Sequence, residues 1–160
     1  MTEQTPAVTV GHPPQALLKT VNPLLRVLLR TPLASSIRSQ FMVLNFNGRK
    51  TGRPLSIPVS AHRIGDDLYA IANAPWKHNF RGGHPVEVLV DGKATPMRGE
   101  LLSDRAQTAE LLRRCADSYG PRRAQRMMGL KFRDGIVPTV GQFAEAIDRE
   151  HLVAVRFTAI

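Results

Sequence analysis

One cysteine, Cys115, stands in a chain of 160 residues. A lone thiol excludes an internal disulfide framework and fits a reducing compartment. Its place among apolar helix positions reads as a small core residue rather than a nucleophile. Aromatics are scarce, with one tryptophan, two tyrosines and six phenylalanines. A platform for single-stranded nucleic acid needs exposed aromatics between its cations, so nucleic acid is not the expected partner. No run of about 18 uncharged apolar residues occurs, which excludes a transmembrane helix. Residues 1–11 lack the basic start and apolar core of a secretory signal. Their Thr, Pro and Gly content predicts a loose arm over 1–14, followed by a single domain over 15–160. The histidines and the cysteine sit at no metal-ligand spacing, so no metal site is expected. There is no G-x-S-x-G, no H-E-x-x-H and no Cys–His pairing signal, so a conventional hydrolase has no support. Acid is nearly missing at the start: residues 1–61 hold Glu3 against Lys19, Arg26, Arg30, Arg38, Arg49, Lys50 and Arg53.

What is present is positive charge, a formal +9 at neutral pH. A field of that sign attracts a polyanionic small molecule, an acidic membrane surface or nucleic acid. The expected location is cytoplasmic. Residues 15–30 place leucines at helical spacing with Lys19, Arg26 and Arg30 between them, which predicts an N-terminal helix over the core. Its cationic side leaves peripheral membrane contact as the sharper alternative.

Extended runs follow at 41–46, 55–61, 68–73, 86–90, 94–102 and 152–157. Asp91-Gly92 marks a tight hairpin turn, across which Glu87 and Arg98 could pair. Between the fifth and last runs lies a helical insertion. Ser103 is the expected cap of a helix from 104, with Ala106, Ala109, Leu112, Cys115, Ala116 and Tyr119 on its apolar side. Gly120-Pro121 stops it, a short basic helix covers 122–130, and Thr139 caps another to 149. Sequential hairpins suggest antiparallel pairing, and closing them into a barrel removes exposed edges. The fold class expected is therefore mainly β (α+β).

Two segments look made for a ligand. The first is the hairpin segment 49–60, whose tip loop, 48–54, joins two strands and holds Arg49, Lys50 and Arg53, the Thr51 hydroxyl and two glycines. Guanidinium groups bind phosphate and carboxylate bidentately, and glycines let the backbone approach. In the second, residues 73–81 hold the only tryptophan, Trp76, beside Lys77, His78 and Asn79. Together they offer cations for an anionic tail and a flat side chain for a flat ring. His78 is either an orienting imidazole or a proton donor. Asp66 and Asp67 are adjacent and read as a turn, not an acid/base pair.

The stretches NPLLRVLLRTPL, GRKTGRP, IPV, WKHNFRGGHPVEVLVDGK and VAVRF resemble the deazaflavin-dependent nitroreductase and quinone-reductase family of actinobacteria. The resemblance runs from about Asn22 to Phe157. It implies a split β-barrel of the FMN-binding type, and hydride transfer from reduced coenzyme F420, a 5-deazaflavin with a phosphate and an oligoglutamate tail. The acceptor it implies is a small electron-poor molecule, a quinone, enone or nitro compound. FMN in the same groove is the runner-up cofactor, and a carrier of cofactor or haem without turnover is the runner-up function. Carried over by position, Arg49, Lys50, Thr51 and Arg53 meet the coenzyme tail. Leu55, Ser56, Ile57, Pro58, Val59 and Ser60 lie along the ring, with backbone N–H groups of Ile57 to Val59 on the ring carbonyls. Ile71, Ala72, Asn73 and Ala74 end the next strand. Pro75, Trp76, Lys77, His78 and Asn79 close over the coenzyme. Tyr119 matches the first pocket tyrosine and, with His78, is the proton-donor candidate. Leu55 departs from the pattern, since relatives carry a basic residue there; Lys77 is the replacement cation. A homodimer is compatible with such a barrel.

Overall fold

The computed structural model describes residues 5–11 and 40–160. The helix expected at 15–30 lies outside the described residues. Contacts divide the chain into two compact units. One is a barrel unit, Pro13–Ala70, Ala74–Leu101 and Val155–Ile160; the other is a helical unit, Met1–His12, Ile71–Asn73 and Leu102–Ala154.

The barrel unit is built on β2 (Phe41–Asn47) and β3 (Pro54–Ser60), paired antiparallel without a break from Phe41↔Ser60 to Asn47↔Pro54. β4 (His62–Ile64), β5 (Asp67–Ala72), β6 (His84–Val90), β7 (Lys93–Leu101) and β9 (Val153–Ala159) complete the main sheet. Among the described residues its order is β3-β2-β6-β7-β9-β5-β4. The two outermost strands are β3 and β4, yet only Ala61 separates them in the chain. One residue spans only about 3.4 Å, so the sheet curls until its first and last strands meet. The run 54–64 is one bent strand that pairs with β2 through its first half and β5 through its second. The expected split β-barrel class stands on this topology.

The barrel's interior follows from the period of two. On β2, Met42, Leu44 and Phe46 point into the core, and on β6 Val86 and Val88 do so while Glu87 is exposed. Leu68, Ala70, Val155 and Phe157 close the same cluster. Burying each large member contributes about 1.5–3 kcal/mol. Phe80 is fully buried among them. It fits only because Gly99 has no side chain: a Cβ there would lie 2.5 Å from the Phe80 ring. Asp91 and Gly92 have φ of 54° and 74°, the type I′ geometry that suits a two-residue hairpin. The register sets Glu87 opposite Pro96 and Arg98 opposite Pro85, so the expected Glu87–Arg98 pair does not form. Asn45 donates to Glu87 at 3.4 Å instead, and Arg98 to the Gly82 carbonyl at 2.7 Å.

In the helical unit, α1 (Arg105–Tyr119) is capped by Asp104, not Ser103, because the Asp104 carboxylate accepts from Gln107 N–H. Thr108 and Leu111 join its buried side while Ala106 is exposed, a rotation of the expected face. α2 (Pro121–Met128) and α3 (Val140–Glu150) follow, the latter with a full capping box between Thr139 and Gln142. Cys115 is buried and its thiol is pushed up to about 12 by that burial, so it is inert at neutral pH. Where composition predicts a loose arm, Val8–Val10 form β1, paired antiparallel with β8 (Leu130–Phe132). Val8 is buried, and Arg149 donates to its carbonyl. Among the described residues no helix is long and apolar enough to cross a membrane.

Candidate functional site

The tip loop between β2 and β3 folds on itself first. Gly48 N–H donates to Arg53 O and Gly52 N–H to Gly48 O, both at 2.8 Å. Gly52 takes a φ of 68°, which a side chain would resist. Thr51 Oγ1 accepts from Arg53 N–H at 3.3 Å, so this hydroxyl braces the loop from within. Lys50 and Arg53 are left exposed at the tip.

The second predicted segment is a 3₁₀ helix, Pro75–Phe80, with proline in its first turn. Phe80 anchors it. Its ring meets Phe46, Trp76, Phe157 and His84 edge-on, with centroids 4.9 to 6.0 Å apart. Trp76 is thereby held half-buried at the barrel wall.

Arg49 joins the two segments. Its backbone N–H donates to Asn79 Oδ1 at 2.8 Å, and Asn79 Nδ2 donates back to Trp76 O at 2.9 Å. Its guanidinium donates to Arg81 O at 2.5 Å and Gly83 O at 3.2 Å. Arg49 therefore acts as a pin between loop and helix, and Lys50 and Arg53 carry the solvent-facing charge. Lys77 is only 6% exposed, and its pKa is lowered by burial and then by Arg81. The exposed His78 has its pKa lowered by desolvation, then by Arg81, Lys77 and Lys50. Those cations thus stand close enough to be felt at one imidazole, and with desolvation they disfavour its charged form.

β3 presents the site's backbone groups. Gly48 bonds to Arg53 at one end of its pairing and Ala61 N–H to Gln40 O at the other. In an unbroken antiparallel ladder the bonded pairs alternate. Leu55, Ile57, Val59 and Ala61 therefore turn their N–H groups toward β2. On the outer edge the N–H positions belong to Ser56 and Ser60, since Pro54 and Pro58 have none. This corrects the expectation that Ile57 to Val59 serve ring carbonyls: two of those N–H groups are in the ladder and the third does not exist. The side chains alternate too. Ile57 and Val59 pack on the core, and Ser56, Pro58 and Ser60 take the other face.

Beside the tip loop lies an open groove of about 570 Å³, whose lining includes Asn45, Asn47, Leu55, Ser56, His84 and Glu87. His84 Nε2 is 2.8 Å from Asn47 O. Asn45, Asn47 and His84 were not singled out from sequence. Asn45 and Asn47 gave a signal, polar residues at alternate positions of an apolar strand. Arg81 and Gly83 contribute through carbonyls, which no side-chain pattern reveals. Of the remaining predicted residues, Ile71 and Ala72 end β5, and Ile71, Ala72, Asn73 and Tyr119 group with the helical unit. Tyr119 is half-buried, with Arg123 5.4 Å over its ring. Its phenol is pushed up to about 12, chiefly by burial and then by Cys115, so it stays protonated at neutral pH.

No family model matches this chain, and no curated protein does. It is similar in structure to a conserved hypothetical protein of Mycobacterium tuberculosis, at 15% identity and TM-score 0.45, covering 99% of this chain and 86% of that one. It is also similar to an FAD- and heme-binding protein of Mycobacterium smegmatis, at 15% identity and TM-score 0.44, covering 96% and 68%. A candidate 5-nitroimidazole antibiotic resistance protein of Bacteroides thetaiotaomicron matches at 10% identity and TM-score 0.41, over 94% and 81%. Likenesses this distant leave the fold to rest on the topology above and carry no argument on activity.

Proposed function

We propose that this chain is a deazaflavin-dependent reductase, passing a hydride from its reduced coenzyme to an electron-poor acceptor such as a quinone, enone or nitro compound. One observation carries the reading: the basic tip loop and the Trp76 helix, some thirty residues apart, are bonded together through Arg49 N–H and Asn79 Oδ1. A molecule with a flat ring and a many-charged tail meets both kinds of partner there. Lys50 and Arg53 would take the tail. The N–H of Ser60 would take a ring carbonyl, and Trp76 a ring face. The coenzyme would supply the hydride chemistry; the protein supplies placement and electrostatics. With its charged form disfavoured by desolvation and the nearby cations, His78 would serve as a hydrogen-bonding partner, and the balancing proton would come from solvent. A role for Tyr119 rests on the sequence resemblance alone. FMN carries a single phosphate and no oligoglutamate tail, and is the runner-up cofactor.

The test is a fluorescence titration of purified protein with the oxidised deazaflavin coenzyme, with FMN in parallel. Saturable micromolar binding of the deazaflavin supports the reading, and its absence ends it. Turnover with reduced coenzyme and menadione then separates a reductase from a carrier of coenzyme or haem.

A further inference from the structure

Charge in the helical unit is sorted unevenly. Four of its arginines have carboxylate partners: Arg105–Asp148, Arg113–Asp117, Arg133–Asp134 and Arg149–Glu150. α2, with the sequence PRRAQRMM, has no acid at all. Ala124, Met127 and Met128 are buried, while Arg122, Arg123 and Arg126 are exposed. Spacings of three and four residues set these arginines on one face. Arg123 stands over Tyr119, and none of the three has a carboxylate partner among the described residues.

This arrangement breaks two rules of helix stability at one place. Arg122 and Arg126 are like charges at i,i+4, which repel. Arg122 and Arg123 also sit in the first turn, where the helix's positive end disfavours cations. Gly120, at the cap, offers no side chain to offset this. Local rules broken together at one place are expected at functional positions. An external anion reverses the sign of both penalties.

We propose that the arginine face of α2 docks on an anionic phospholipid surface. The face is the outward side of a helix, and neither groove described in this molecule is lined by an α2 residue. That favours an extended partner over a small anion. Exposed aromatics that would stack single-stranded bases are missing from α2, and Tyr119, at the end of α1, lies half-buried beneath Arg123. The same unit exposes two large apolar side chains, Ile136 at 65% and Val140 at 39%.

The experiment is co-sedimentation of the full chain with phosphatidylcholine vesicles, alone or with about a third phosphatidylglycerol. Three proteins are compared: wild type, Arg122→Gln/Arg123→Gln/Arg126→Gln, and Arg26→Gln/Arg30→Gln in the N-terminal segment. Each arginine near such a surface is worth about fivefold in affinity, so the α2 variant is expected to bind about a hundredfold more weakly. Because it removes repulsion it should fold at least as well, which circular dichroism checks. Binding confined to anionic vesicles, with that loss, supports the proposal. Four results overturn it: no binding to anionic vesicles, undiminished binding by the α2 variant, displacement by millimolar inorganic phosphate, or tighter binding to duplex DNA than to vesicles. Coenzyme titration of the α2 variant is a separate readout and is expected to be unchanged.

Discussion

His62 gives the sharpest test of the barrel's interior. It is 1% exposed, opposite Tyr69 in the β4–β5 pair, and burial lowers its pKa from 6.5 to about 4. The folded state therefore binds a proton less readily than the unfolded chain. Between about pH 6.5 and 4 the unfolded state is the more protonated, so stability falls as the pH is lowered, and this contribution is fully lost below the folded pKa. With those two values the linkage gives a loss of about 2–3 kcal/mol between about pH 7 and pH 4.5. Urea unfolding at both pH values, followed by Trp76 fluorescence, measures it, because the only tryptophan lies in the same unit. Carboxylates such as Asp134 and Asp148, whose pKa values are lowered by Arg133 and Arg105, lose stability in the same direction. The informative quantity is therefore the difference from His62→Leu, which keeps the carboxylates and drops the imidazole. Wild type should lose about 2–3 kcal/mol more than the variant. Equal losses would refute the reasoning. If His62→Leu fails to fold, an NMR titration of His62 decides, and an imidazole titrating near its ordinary value is the contrary result.

Other outcomes follow from the site. Gly99→Ala should cost about 1–3 kcal/mol by thermal unfolding, since the added methyl meets the buried Phe80 and Phe157 rings rather than a flexible chain end. Ser60→Pro should fold normally but weaken coenzyme binding, because its N–H faces away from β2. Val59→Pro should unfold the hairpin by removing a ladder bond, at about 3 kcal/mol or more. A similar loss of stability in both proline variants would show the edge assignment to be wrong. Arg49→Ala removes the guanidinium that holds the Arg81 and Gly83 carbonyls, so the Trp76 emission should shift to the red as the helix loosens. An unchanged spectrum would mean that the pin is dispensable.

Much of the barrel was legible because its strands are long enough to show alternation. Met42, Leu44 and Phe46 alternate with polar or smaller neighbours, and Asp91-Gly92 names its own turn. Three-residue strands such as Val8–Val10 and Leu130–Phe132 carry too few positions to display a period, and their pairing joins distant parts of the chain. The cap of α1 was ambiguous because Ser103 and Asp104 are both capping types; Gln107, whose N–H the Asp104 carboxylate accepts, decides between them. For the site, composition marked both segments, since Arg49, Lys50, Arg53 and Trp76 are unusual neighbours. It did not reveal that the exposed Arg49 bonds to the Arg81 and Gly83 carbonyls. A charged side chain bonding to backbone carbonyls leaves no trace in residue type, so the pin was indistinguishable from its two solvent-facing neighbours. Pro58 was readable all along: a residue without N–H cannot serve a ring carbonyl.

The central claim is that cations at this hairpin tip hold a many-charged tail whose ring lies against β3 and Trp76. Its most direct test is the affinity for oxidised deazaflavin coenzyme with and without the oligoglutamate tail, in wild type and in Lys50→Gln/Arg53→Gln. Wild type should prefer the full tail, and the double variant should lose about tenfold for the tailed coenzyme, with little change for the tail-less one. Equal affinities for the two coenzymes in wild type, or a loss that is the same for both, would contradict it.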